Sequence, residues 1–289
     1  MKPLKYIITS LIIAILASIP VVDAATDIET KIAETKATIQ KLLEVKDDTS
    51  LPVNERQQLE LQLKKSITLN IIDIAASQIQ EMRQQMDKVN FPDSEDWGKV
   101  KTYVYNSLDA YGTFYKESRI SLEASDITLE EVRGIAQEIE TKKESEIDPF
   151  LQKTANISTA FGISNIIKRA DERRWKVLDD VNKIYTQKLT DNRDLRESFN
   201  KAADAISEAK TLNNKSKEIM LNRYIPKEEP IEVTTATTTA TTTVSEVIDT
   251  ENAEDAELKE IIKQSAEHIR QAYSIFLEMS ITVKEYLDQ

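Results

Sequence analysis

The sequence predicts an all-α protein. The expected architecture is an elongated bundle of long amphipathic, partly coiled-coil-like helices, with a disordered Thr-rich linker before a C-terminal helix. Two observations carry this reading. Apolar residues recur at spacings of three and four in nearly every segment, the pattern of a helix that buries one stripe. In addition, the 289 residues include only four glycines and seven prolines, where average usage is about 7% and 5%. Sheets and phosphate-cradling loops need glycine for tight turns and close backbone approach, so both are poorly supplied.

Residues 1–24 read as a signal peptide. Lys2 and Lys5 form a positive start, Tyr6 to Ile19 is an apolar run, Pro20 ends it, and Val22-Asp23-Ala24 fits a cleavage site after Ala24. The run falls short of the ~20 residues that a membrane span needs. No cysteine follows it, so a lipoprotein is excluded. Cleavage would remove two lysines and one aspartate from a chain of net charge −12, leaving −13.

The bundle is expected over residues 25–223. Thr26 and Glu29 have capping-box spacing, followed by Ile28, Ile32, Ile39, Leu42 and Leu43 on one face. Asp47 to Pro52 should break this helix. From Val53 to Val89, Ile72, Ala75, Ile79, Met82, Met86 and Val89 make a coiled-coil-like seam on a rod of roughly 54 Å. Asn90 to Ser94 is a turn, and the next helix runs to about Leu122 with Trp97, Val100, Val104, Leu108, Tyr111 and Phe114 or Tyr115 inward. Thr128 and Glu131 form a second capping box before Leu129, Val132, Ile135 and Ile139. Asp148-Pro149 should stop or kink that helix, because the residue before proline is biased away from helical geometry. A further helix spans Phe150 to about Leu189, where Gly162 could bend it, and Ile157 to Ile167 is the most apolar internal stretch. Leu195, Phe199, Ala202, Ile206, Ala209, Ser216 and Met220 then form a near-heptad seam with small residues.

Residues 224–252 differ in composition, with Pro226, Pro230 and a run of threonines and alanines from Thr234 to Thr243. β-branched threonine disfavours helix and offers little to bury, so this segment reads as a flexible linker. The C-terminal amphipathic helix occupies 253–289. Its stripe of Leu258, Ile262, Ala266, Ile269, Tyr273, Phe276, Val283 and Leu287 should dock on the bundle.

Chemistry-bearing motifs are missing. With no cysteine and one histidine, thiolate metal sites, disulfides and multi-histidine centres are impossible. His268 has no carboxylate one helical turn away. There is no Walker loop, GxGxxG, GxSxG, HExxH or EF-hand loop. Arg173-Arg174-Trp175 could clamp an anion, although a solvated charge pair beside a buried tryptophan is the plainer reading. Asn156 and Asn214 head N-glycan acceptor triplets inside expected helices. No cofactor and no catalytic residue is expected. The acidic chain offers no footprint for nucleic acid.

Six of the chain's aromatics fall between Trp97 and Tyr115. Most should be core, but Tyr103, Tyr105 and Tyr115 do not share one face, which marks them as a candidate contact surface. The whole reads as an exported, non-catalytic interaction protein that binds a protein partner of the host or cell envelope through helix surfaces. It would be periplasmic, surface-bound or secreted, with no stable membrane span after signal cleavage and with faces that also suit a homo-oligomer. The alternatives are an all-α pore-forming protein and a periplasmic structural or chaperone-like coiled coil.

Overall fold

The structure is a computed structural model that describes residues 25–186, 193–224 and 244–287. The expected signal peptide, residues 1–24, lies outside the described residues, as do residues 225–243 of the expected linker. Among the described residues every regular element is helical: α1 (Ala25–Asp47), α2 (Val53–Asp87), α3 (Glu95–Glu123), α4 (Leu129–Lys142), a π-helical turn (Lys143–Ile147), α5 (Asp148–Thr186), α6 (Arg193–Tyr224) and α7 (Val244–Leu287).

Local chemistry explains the boundaries. After α1 the Asp48 carboxylate accepts the Ser50 backbone N–H at 2.8 Å and its hydroxyl at 2.5 Å. This Asx turn replaces the next helical hydrogen bonds. At α4, the Thr128 hydroxyl accepts the Glu131 N–H at 3.3 Å while the Glu131 carboxylate accepts the Thr128 N–H at 2.7 Å. Thr128 is therefore a reciprocal capping box, as its spacing predicts. The expected box at Thr26 falls among residues whose side chains lie outside the described ones.

Asp148-Pro149 neither stops the chain nor leaves an ordinary helix. Proline has no N–H and its ring crowds the carbonyl four residues back, so the helix needs room at Ser145. The π turn opens the coil by one residue there, and the Asp148 N–H bonds to the Lys143 carbonyl, five residues back. The last helix runs Val244–Leu287, and residues 225–243 before it lie outside the described residues.

The chain resolves into two compact units, to both of which α2, α3 and α5 contribute. The first holds residues up to Gln85 together with Tyr105–Gln152. Its core includes Ile32 and Leu42 of α1, Ile71, Ile72 and Ile79 of α2, Leu108, Tyr115 and Leu122 of α3, and Val132 and Ile139 of α4. Charged side chains tie α1, α2 and α3 together beside this core. Lys31 reaches Asp73 at 3.5 Å, and Arg119 pairs with the same Asp73 and with Glu123. The buried Lys143 of the π turn pairs with Asp148 at 2.5 Å.

The second unit holds Met86–Val104 and the residues from Lys153 onward. Phe91, Trp97 and Phe161 form an aromatic knot, with Trp97 edge-on to Phe161 at 5.0 Å between centroids. The expected apolar stretch is a half-buried helix face: Ile157, Phe161, Ile163 and Ile167 are buried and Ile166 is exposed. α7 packs on α6. Small residues line this seam, with Ala202, Ala205 and Ala209 on α6 facing a helix that buries Leu258, Ile262, Ser265, Ile269, Ala272 and Phe276. Across it the Ser265 hydroxyl donates to the Ala209 carbonyl at 2.8 Å. Among the described residues no helix is long and apolar enough to cross a membrane.

Candidate functional site: a cationic cleft between α5 and α6

The second unit contains a cleft of about 440 Å³ between α5 and α6. Helical spacing builds its two walls. Ser164, Ile167, Lys168, Asp171 and Arg174 fall on one stripe of α5, and Ile206, Lys210, Asn213 and Lys217 fall on one stripe of α6. Four cations therefore meet one carboxylate, in a chain whose overall charge is −12. That carboxylate is already engaged, because Asp171 pairs with Arg174 at 2.7 Å.

Lys217 forms the cleft's innermost charge. Its ammonium donates to the Ser164 hydroxyl oxygen at 2.5 Å and sits 4.3 Å from the centre of the Phe161 ring. Among the described residues no carboxylate pairs with it. Burial disfavours the charged form and pushes its pKa below the ordinary lysine range. The other deeply placed lysines are treated differently: Lys64 pairs with Glu60, and Lys143 with Asp148. Asn213, buried in the α6 wall, donates its side-chain N–H to Ser164 at 2.7 Å, while its own Oδ1 is buried without a hydrogen-bond partner.

A serine beside a lysine of lowered pKa invites comparison with a nucleophile and its base. The hydrogen bonding here is arranged otherwise. Ser164 donates its proton to the Ala160 carbonyl at 3.1 Å, and its lone pairs receive Asn213 and Lys217. No lone pair is left to attack a substrate, and Lys217 is held as a donor. The arrangement holds a positive charge in a fixed place, which is chemistry for binding.

No known family, curated protein or solved structure matches the chain.

The three tyrosines expected as a contact surface differ in exposure. Tyr103 is 42% exposed, Tyr105 is half-buried with the Arg83 guanidinium 5.5 Å from its ring centre, and Tyr115 is only 1% exposed. Tyr115 belongs to the core of the first unit. Its position one turn past Tyr111 continues the buried stripe of Val104 and Leu108. Trp175 also departs from expectation. It is 58% exposed, with Arg174 stacked 4.7 Å from its ring centre, so it is not a buried neighbour of a solvated pair. Arg174 does line the cleft, whereas Arg173 does not. Sequence reasoning missed Ser164, Asn213 and Lys217. The available signal was the seven-residue spacing of Lys210 and Lys217, which puts two lysines on one edge of a helix whose apolar seam is otherwise regular.

Proposed function

We propose that this is an exported, non-catalytic helical interaction protein that binds a component of the host or the cell envelope through helix surfaces. The observation that carries the reading is the outward side of α7. Leu277 is 61% exposed and Ile281 is 53% exposed, one turn apart, with half-buried Tyr273 one turn before them. The opposite side of the same helix is already buried against α6, so this second apolar strip is available to another molecule. Single exposed aliphatic residues are ordinary on protein surfaces, but a run at helical spacing supplies the anchors used in helix-mediated recognition.

A photoreactive amino acid placed at Leu277 in the producing cell tests this. One discrete heavier adduct is expected at this position and none from the exposed position Lys201. The adduct should disappear when Ile281 is replaced by Asp. A Leu277 probe that forms no adduct, or forms the same products as the Lys201 probe, would overturn the reading. Protease treatment of intact cells tests the export component separately.

A further inference from the structure

We propose that the cleft between α5 and α6 binds a small organic phosphate or sulfate monoester, with its tetrahedral oxyanion seated on the Lys217 ammonium. This does not depend on the α7 reading, since it concerns a different surface and a different kind of ligand. Three features of the cleft point the same way.

The first is the uncompensated charge. A half-buried ammonium without a carboxylate is costly, and this chain has an excess of acids with which to cancel it. It does so at Lys64 and Lys143 and not at Lys217. The Lys217 ammonium spends one hydrogen on Ser164 and presents its face to Phe161, which leaves capacity for an incoming anion.

The second is the number of cations. Lys168 and Lys210 line the cleft and have no ion-pair partner among the described residues. A carboxylate offers two oxygens to the three unpaired lysines, and a tetrahedral oxyanion offers three. A dianionic phosphate, or a sulfate with its three equivalent oxygens, engages several at once. Lysine acts as a point charge toward such groups and does not require the planar fork that arginine offers a carboxylate.

The third is size and lining. A volume of about 440 Å³ is within the range of small-molecule sites, roughly 300–1,000 Å³, and exceeds what one inorganic ion fills. Ile167 and Ile206 supply apolar wall between the charges. An oxyanion attached to a small organic body matches both parts.

The test uses the full chain in buffer near physiological salt, with calorimetric titration of phenyl phosphate, phenyl sulfate, benzoate and inorganic phosphate. Phenyl phosphate should bind at least tenfold more tightly than benzoate and than inorganic phosphate. Lys217→Met should weaken phenyl phosphate at least tenfold. Lys210→Gln, at an exposed position where folding is not at risk, should weaken it severalfold. Circular dichroism and thermal melting of each variant report whether the fold is kept. Phenyl sulfate binding as tightly as phenyl phosphate would support recognition of the tetrahedral group itself, and weaker binding would support recognition of the second charge. The proposal is overturned if phenyl phosphate does not bind, if benzoate or inorganic phosphate binds equally well, or if both lysine variants bind phenyl phosphate unchanged.

Discussion

At the scale of single residues, a half-buried lysine and a buried tyrosine each cost stability that packing alone would avoid. Lys217 is one. Its lowered pKa means that folding disfavours its charged form. Below the folded pKa both states carry the charge and the penalty is full; above the ordinary lysine value near 10.5 neither does. Stability therefore rises with pH between those two values. The groups sharing its cleft, Lys168, Arg174 and Lys210 with the single acid Asp171, oppose its charge on balance. Lys217→Met should stabilise the protein at neutral pH, with a gain that shrinks as pH approaches 10.5. Urea denaturation at neutral and alkaline pH measures this. A variant that is destabilised at neutral pH would mean that the hydrogen bond to Ser164 outweighs desolvation.

Tyr115 is the second. Its hydroxyl is buried without a hydrogen-bond partner. Burial, and then the Asp148 carboxylate nearby, hold its pKa above the usual tyrosine value. The folded state thus favours the neutral phenol, and stability is lost as pH rises past the unfolded tyrosine pKa of about 10. Tyr115→Phe deletes the unpartnered hydroxyl without changing ring packing. It should stabilise the chain by about 1 kcal/mol and remove one slow-titrating phenol from an alkaline absorbance titration. Interaction through α7 should be unaffected, because Tyr115 is buried on α3 and not part of α7.

At the scale of elements, legibility follows from how local the determining interaction is. The α4 capping box needs only residues three apart, so Thr128 and Glu131 are readable as a pair. Glu131 also shows a lowered pKa, caused first by the Thr128 backbone hydrogen bond. Thr128→Ala should cost about 1 kcal/mol in urea denaturation, and a smaller loss is expected at acid pH, where Glu131 is protonated and its half of the box is already weakened. The seams of α2 and α6 are legible for the same reason, since a stripe repeated over many turns averages out single exceptions. Misreadings occur where a third partner decides. The π turn reflects a proline inside an otherwise uninterrupted helix, and sequence spacing alone does not distinguish a stop from a local widening. Trp175 is apolar by composition, but its amphipathic ring stacks under Arg174 at the surface. On α7 the sequence pattern puts Ala266 and Tyr273 in the stripe, yet Ser265 and Ala272 are the fully buried residues. The stripe is rotated toward the small residues because they let α7 approach the alanines of α6 closely. The cleft was illegible because it arises from two helices facing each other, and neither carries a motif by itself.

At the scale of the whole molecule, the last helix is joined to the rest through residues 225–243, and α7 holds to α6 by packing that does not require that connection. Leu258, Ile262, Ile269 and Phe276 are all buried at the seam. At about 1.5–3 kcal/mol each, they supply roughly 6–12 kcal/mol of gross drive before the entropy of association is charged against it. Ser265 adds a hydrogen bond to the Ala209 carbonyl, while Arg223 with Asp255 at 3.6 Å and Lys215 with Glu257 at 3.8 Å add charge pairs. A protease site introduced after Thr238 would separate the two parts covalently. After cutting, both fragments should elute together from gel filtration at micromolar concentration. Phe276→Ala removes the largest fully buried side chain of α7 among the described residues at a cost of about 3–5 kcal/mol, a large share of the net attraction, and should let the cut fragment carrying α7 elute separately. Separation of the cut wild-type chain would instead mean that the tether's effective concentration holds α7 in place. In that case the buried face of α7, and not only its outer strip of Leu277 and Ile281, would be open to an external partner.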